Sequence, residues 1–313
     1  MTRVQIVAIV GTGALGILAA LPQFSDEYTV AFMLSMLAYI VMATAWSIFC
    51  GTTRYISLAT SAFFGIGAYC LAFWGETLPL PVVVLIAAAV GFIIALVVGL
   101  STLRLSGVYF VVFTFGLTEL IRQVMIWFEI NQTRTLVRQV FLDVTSAELY
   151  YYLLGLVILV FAAGYLIGRS RLGLALRSIG EDETAARHAG VNSTLVKVLV
   201  FALSSAFIAA TGALLMPRWT YVDPNIAFNP LISFQVLIMA LLGGVHRLYG
   251  PAFGVIPLVL LFEFLVRSFP YQFNVVLGAI FILIVFFLPT GVIGLLEQTG
   301  TRLLRIVPRK PAI

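Results

Sequence analysis

The chain is poor in charge. Only 10% of its 313 residues are Asp, Glu, Lys or Arg, while 62% are hydrophobic. Soluble domains carry about 25% charged residues, and a globule of this length with so few could not cover its surface with polar groups. That excludes a water-soluble domain and makes lipid the solvent. Cysteine is as scarce: Cys50 and Cys70 lie in apolar runs without CxxC or histidine companions. They form no disulfide framework or metal site and read as packing thiols. The two histidines, His188 and His246, fall in connections, and HExxH and GxSxG are missing, so no intramembrane catalytic constellation is expected. A GxxxxGK[ST] phosphate loop is missing too. GTGALG at 11–16 has GxGxxG spacing but sits in an apolar run with no strand before it, and is set aside. Catalytic residues, metal ligands and cofactor sites are therefore not assigned to this chain.

What the chain does have is long apolar runs. A spanning helix needs about 20 mostly apolar residues, because the hydrocarbon core is about 30 Å thick and each residue rises about 1.5 Å. Candidate spans cover 5–22, 28–50, 55–75, 80–102, 107–128, 149–168, 195–217, 231–246, 250–268 and 272–289. The runs are continuous, not alternating, which favours helices over barrel strands. The expectation is an all-α, polytopic membrane protein of about ten transmembrane helices, with 1–313 as a single transmembrane domain. The first run follows Arg3 and has the look of a signal peptide. Without a clear small-x-small site before Pro22, it is read as a retained span. The 55–75 run is rich in Gly, Ala and Ser, which suits close helix packing and leaves a broken or re-entrant helix open.

Lys and Arg favour cytoplasmic loops. With the N-terminus inside, Arg3, Arg54, Arg104, Arg169, Arg171, Arg177, Arg187, Lys197, Arg247 and the basic C-terminus fall inside. Arg134, Arg138, Arg218 and Arg267 fall outside, and Arg122 lies within a span. Both termini are thus expected in the cytoplasm. The net charge of +5 follows from this topology, and without a single basic patch a nucleic-acid partner is not needed to explain it.

The densest charge, RSRLGLALRSIGEDETAARHAGV at 169–191, then becomes part of the longest internal cytoplasmic segment, 169–197. Leu172, Leu176 and Ile179 share one helical face, as for a helix lying on the membrane surface. Gly180 permits a break. Glu181, Asp182 and Glu183 open a second short helix, where acids complement the helix dipole. Ala185, Ala186 and Ala189 give that helix a small side, Gly190 suits its C-terminus, and Asn192 or Ser193 can cap the next span. Such a helix can sit in a groove on another protein, or the segment is a solvated connection.

The stretch GLALRSIGEDETAARHAGVNSTLVKVLVFALSSAFIAATGALL resembles the cytoplasmic coupling segment of ABC-importer permeases of the branched-chain amino acid (LivM-type) family. SLATSAFFGIGAY at 57–69, LRLSGVYFVVFTFGLTELIRQV at 103–124, LLGGVHRLYGPAFGV at 241–255 and FLPTGVIGLL at 287–296 extend the likeness, in order, over most of the chain. The 103–124 stretch favours the M-type over the sister H-type subunit. One departure is that His246 and Arg247 stand where the family has small residues after Gly-Gly-x, which puts close backbone packing at that turn in question.

The resemblance implies a type II-like importer fold in the bacterial inner membrane. It also implies a LivH-type second permease as heterodimer partner, a periplasmic substrate-binding protein, and two cytoplasmic ATPase subunits that carry ATP and Mg. ATPase coupling would fall to Arg177, Glu181, Asp182, Glu183, Ala185, Ala186, Ala189 and Gly190. Pathway candidates are Ser61, Phe64, Tyr109, Phe110, Thr114, Glu119 and Arg122, for which ordinary helix packing is the simpler reading of each. Glu119 and Arg122 are three apart and can pair on one helix face; they read first as a structural lock, and otherwise as a contact for a zwitterionic amino acid. Either of the outer segments 129–148 and 218–229 can meet a binding protein, although Trp219, Tyr221 and Tyr150–Tyr152 equally suit an aromatic belt. The rival reading is a secondary transporter driven by an ion gradient. It needs a midplane ion site, for which Glu119 is the only strong candidate, and Arg122 neutralises it.

Overall fold

The computed structural model describes residues 21–287 except Phe24, Ser106, Thr133, Leu136 and Phe141. The first expected span, apart from Leu21 and Pro22, and nearly all of the 287–296 ending lie outside the described residues. Within them the helices are α1 (Glu27–Thr53), α2 (Thr60–Trp74), α3 (Leu80–Thr102), α4 (Val108–Gln132), α5 (Ser146–Arg169), α6 (Arg171–Glu181), α7 (Glu183–His188), α8 (Ser193–Leu215), α9 (Pro224–Ala227), α10 (Pro230–Gly243), α11 (Gly250–Ser268) and α12 (Phe273–Phe287). Seven helical segments, α1, α3, α4, α5, α8, α9–α10 and α11, are long and apolar enough to cross a membrane. The apolar helices α2 and α12 are shorter. This supports a polytopic helical protein and only loosely the expected number of about ten.

At the centre, α8 packs against α1, α2 and α3. The approach depends on missing side chains: a Cβ at Gly67 of α2 would lie 1.8 Å from the Ala209 carbonyl oxygen, and one at Gly212 of α8 would lie 2.0 Å from that of Phe64. Small residues let membrane helices bring their backbones together. Around this core, α5 covers α1, while α10 and α11 form a hairpin against α1. Its turn stays close despite His246 and Arg247, since a Cβ at Gly243 would meet the Gly250 carbonyl oxygen at 2.0 Å. Both basic residues are exposed and leave the glycine contact intact.

The 55–75 run is helical only from its sixth residue and is uninterrupted from there. Residues 54–59 are non-helical and α2 begins only at Thr60, so its 15 residues span about 22 Å. Ser57, Leu58 and Ala59 are nonetheless buried. Buried backbone polar groups outside a helix need partners from elsewhere in the protein. Here Trp46 Nε1 donates to the Ser57 carbonyl at 2.8 Å, Leu58 N–H donates to Thr114 Oγ1 at 3.0 Å, and Ser233 Oγ donates to the Leu58 carbonyl at 2.9 Å.

Charge segregates to the two ends. Arg54, Arg104, Arg187 and Lys197 gather at one end, where Arg54 pairs with Glu181 at 2.8 Å and Arg187 Nε donates to Ser193 at 2.9 Å. At the other, Arg138 pairs with Glu129 and Arg267 with Glu263, whose carboxylate also accepts from Tyr28 of α1. There segments 129–148 and 218–229 meet: β1 (Arg138–Gln139) and β2 (Tyr221–Val222) pair antiparallel, with Arg138 opposite Val222. This small departure from an all-helical expectation joins two segments that the sequence offered as alternatives.

Candidate coupling segment and transport pathway

The 169–191 stretch folds as two helices, but the break falls at Asp182, two positions beyond the expected Gly180 and inside the run of acids. Gly180 lies inside α6, and its lack of a side chain lets α6 touch the end of α1, where a Cβ would come 2.2 Å from the Thr52 carbonyl oxygen. Asp182 makes the turn. Its carboxylate caps α7 by accepting from Thr184 N–H at 2.8 Å and Ala185 N–H at 3.0 Å. Gly190 ends the helix with φ +87°, a conformation for which glycine carries no Cβ penalty. Asn192 then caps α8 through Leu195 N–H.

The two faces of α7 differ. Thr184, Ala185, His188 and Ala189 are exposed, whereas Ala186 is 4% exposed and turned into the protein. Glu183 also turns inward, to a group that local spacing did not reveal. Lys197 of α8 has a side chain 1% exposed and lies 2.8 Å from Glu183 Oε1. Its ammonium also donates to the Leu103 carbonyl at 3.0 Å and to Tyr55 Oη at 3.2 Å, and stands 4.3 Å above the Tyr55 ring. Tyr55 Oη donates to Glu183 Oε2, and Arg187 Nη2 donates to Glu183 Oε1. Burial works to raise the Glu183 pKa, but hydrogen bonds from Lys197, Tyr55 and Arg187 outweigh it and hold the carboxyl down at about 2. One carboxylate thus ties α7 to α8, to the non-helical 54–59 segment and, through Lys197, to the end of α3. An apolar-run reading treats Lys197 as one more positive charge at a helix start; the signal that it is buried lies in residues 14 and 142 positions away.

The other coupling candidates sit around this node. Glu181 and Asp182 are exposed. Arg177 Nη2 donates to the Gly168 carbonyl at the end of α5 at 3.3 Å, a position where a cation complements the helix dipole.

The pathway candidates divide. Ser61, Phe64, Phe110 and Thr114 are buried in this chain's own interior. Ser61 N–H donates to Ser233 Oγ at 2.8 Å, and Thr114 is spent on the non-helical backbone before α2. Phe110 stands against Phe49, Tyr55 and Phe201. Phe64 stands against Trp219. Tyr109, Glu119 and Arg122 lie on α4, the least buried of the spans, and Tyr109 is exposed. Arg122 pairs with Glu119, which also accepts from Gln123, and donates to Asn225 Oδ1 of α9 at 3.0 Å. That last bond fastens α4 to α9. Cys50 and Cys70 are buried and unpaired.

A bundle of apolar helices with charge sorted to its ends, and a short helix held there on a buried ion pair, defines a multi-pass membrane protein. The chain belongs to the family described as branched-chain amino acid transport system / permease component, whose model matches residues 28–285. It is 27% identical to the high-affinity branched-chain amino acid transport system permease protein LivM of Escherichia coli (strain K12), over 88% of this chain and 72% of that protein. It is 31% identical to the permease protein BraD of Pseudomonas aeruginosa, over 44% of each chain. It is also 30% identical to the permease protein LivH of Escherichia coli (strain K12), over 40% of each. No solved structure matches the chain. The family membership decides for a transport permease over an ion-driven secondary transporter.

Proposed function

We propose that this chain is one of two permease subunits of an ATP-driven importer of branched-chain amino acids or chemically related small solutes, and that α7 is where the motor grips it. The observation that carries the reading is the two-sidedness of α7: a small exposed face of Thr184, Ala185, His188 and Ala189, and an opposite side locked to α8 by Glu183 and Lys197. A helix meant only to connect two spans does not need a buried ionic anchor, which carries a large desolvation cost. One meant to transmit a push does.

ATP and Mg belong on two cytoplasmic ATPase subunits, and this chain binds no cofactor. The end holding α6 and α7 faces the cytoplasm, with the N- and C-termini on that side, because the Lys and Arg bias favours it. A second, LivH-type permease completes the pathway. The β1–β2 platform faces the periplasm, where a substrate-binding protein delivers cargo. Nucleotide binding closes the ATPase pair and shifts α7; Glu183 and Lys197 carry the shift to α8, which packs on α2 and α3. The shift changes the side to which the pathway opens only if the closed motor has different affinity for the two pathway states.

Replacing Ala185 or Ala189 with Trp fills the docking face without touching the anchor. The expected result in the reconstituted complex is loss of transport and of substrate-stimulated ATP hydrolysis, with unchanged stability of the permease. Normal transport by both variants would refute the assignment.

A further inference from the structure

At the same charged end, α3 finishes beside the start of α8, and the two leave a groove of about 770 Å³ between them. It has the volume of a small-ligand cleft. Its wall is apolar, with Leu96 and Leu100 from α3 and Leu195 and Leu199 from α8, and all but Leu96 are exposed. Arg104, just past α3, and Arg187 of α7 also line it, and no acid does among the described residues. Arg104 is exposed and makes no hydrogen bond or ion pair with a described residue. Arg187 spends Nη2 on Glu183 and Nε on Ser193, which leaves Nη1 open. The bond to Glu183 does not neutralise the groove, because the same carboxylate also pairs with Lys197. Three cations, Arg104, Arg187 and Lys197, thus gather around one anion. An occupant of this groove is anionic at one end and apolar at the other.

The wall identifies which amphiphile. From Val82 to Leu100 every exposed residue of α3 is apolar: Val82, Leu85, Ala89, Ile93, Val97 and Leu100. This stripe on a membrane-spanning helix runs into the groove at Leu100. Polar side chains are costly against acyl chains, so a stripe without one over that length faces lipid. A free phosphate leaves the leucines bare, and an acidic peptide reaches the arginines without covering the stripe. A phospholipid satisfies both parts, and basic pockets between membrane helices suit acidic headgroups. We infer that this groove binds one anionic phospholipid of the adjoining leaflet, its phosphate held by Arg104 and Arg187 and an acyl chain lying along Leu96, Leu100, Leu195 and Leu199. The headgroup rests against Arg187, which also holds Glu183. Membrane composition therefore bears on how firmly α7 is anchored. The inference requires only that the chain lies in a membrane; lipid binding here and motor docking at α7 can each fail alone.

The test uses the full chain purified from membranes with the subunits that accompany it. Retained lipid is identified by native mass spectrometry, and unfolding temperature is followed on adding phosphatidylglycerol, phosphatidylcholine or the soluble headgroup glycerol phosphate. Phosphatidylglycerol is expected to copurify and to raise the unfolding temperature, while the other two do not. Arg104→Gln should weaken phosphatidylglycerol binding about fivefold, the worth of one cation near an anionic surface. Unchanged affinity in that variant, or equal stabilisation by phosphatidylcholine, would overturn the site. Equal stabilisation by glycerol phosphate would leave an anion site without a lipid and overturn it too. Phosphatidylglycerol that binds only after the accompanying subunits are stripped would give the groove to a protein partner instead. If Arg104→Gln does not fold, a photoreactive phosphatidylglycerol on the unmodified chain decides. Crosslinks to Leu100 or Leu195 support the site, and crosslinks confined to Ile158 and Leu166 on the exposed side of α5 overturn it.

Discussion

Glu119–Arg122 and Glu183–Lys197 are both acid–base pairs in a chain with few charges, and they behave as opposites. The first is an i,i+3 pair on one helix, with the Glu119 side chain 41% exposed. The second joins two helices around an ammonium with a 1% exposed side chain and adds a tyrosine, an arginine and a backbone carbonyl. A charge in an apolar run draws the eye because its cost there is evident. Yet the Glu119–Arg122 pair is satisfied by partners close by, Gln123 on the same helix and Asn225, and the other sits where a charged segment meets a helix start and so looked ordinary. Consequence follows burial and the number of elements joined, not isolation in the sequence.

The comparison breaks most visibly on removing one acid. Glu183→Gln leaves Lys197 buried without its counter-charge, and losing one member of a buried pair costs about 3 kcal/mol or more. Thermal unfolding in detergent should show that loss. Glu119→Gln should cost clearly less, because the amide oxygen can still accept from Arg122 or Gln123 on the same helix; equal effects would erase the distinction. The double variant Glu183→Gln/Lys197→Met removes both charges and keeps apolar bulk in place of the lysine stem. It should be about 1 kcal/mol or more better than Glu183→Gln alone, a non-additivity expected of residues in contact.

The smallest effect is on pH dependence. Because the folded carboxyl of Glu183 is held at about 2, below its ordinary value near 4.3, its stabilisation is complete at neutral pH. It is lost only as pH falls below about 4 and toward the folded value. The stability gap between wild type and Glu183→Gln should stay constant from pH 7 to pH 5 and narrow at pH 3.5. A gap that narrows already between pH 7 and pH 6 would mean that the carboxylate is not held in this way.

Hydropathy made most of the fold legible. The run at 80–102 became α3 with the same bounds, and 250–268 became α11. The composition of 55–75 left a break open, but Gly65 and Gly67 lie inside the continuous α2 and the non-helical stretch precedes them. What hid was how that stretch is sustained, because Trp46, Thr114 and Ser233 come from three other parts of the chain. For the same reason Ser61 and Thr114, whose hydroxyls looked available, are committed to internal bonds. In the coupling segment the two short helices, the Asn192 cap and the glycine end were readable, since caps are local chemistry. The orientation of α7 was not: which of its alanines faces out depends on Lys197 pulling Glu183 inward, and Ala186 turned in with it.

The central claim is that the exposed face of α7 lies in the cytoplasm under an ATPase. It can be read by labelling a single cysteine at Ala185 with a membrane-impermeant maleimide, with Cys50 and Cys70 buried and so a silent background. The account predicts no labelling in intact spheroplasts, labelling in inside-out vesicles stripped of peripheral subunits, and protection when the ATPases are added back. Labelling from the outer side, or labelling of inside-out vesicles that the ATPases do not reduce, would contradict it.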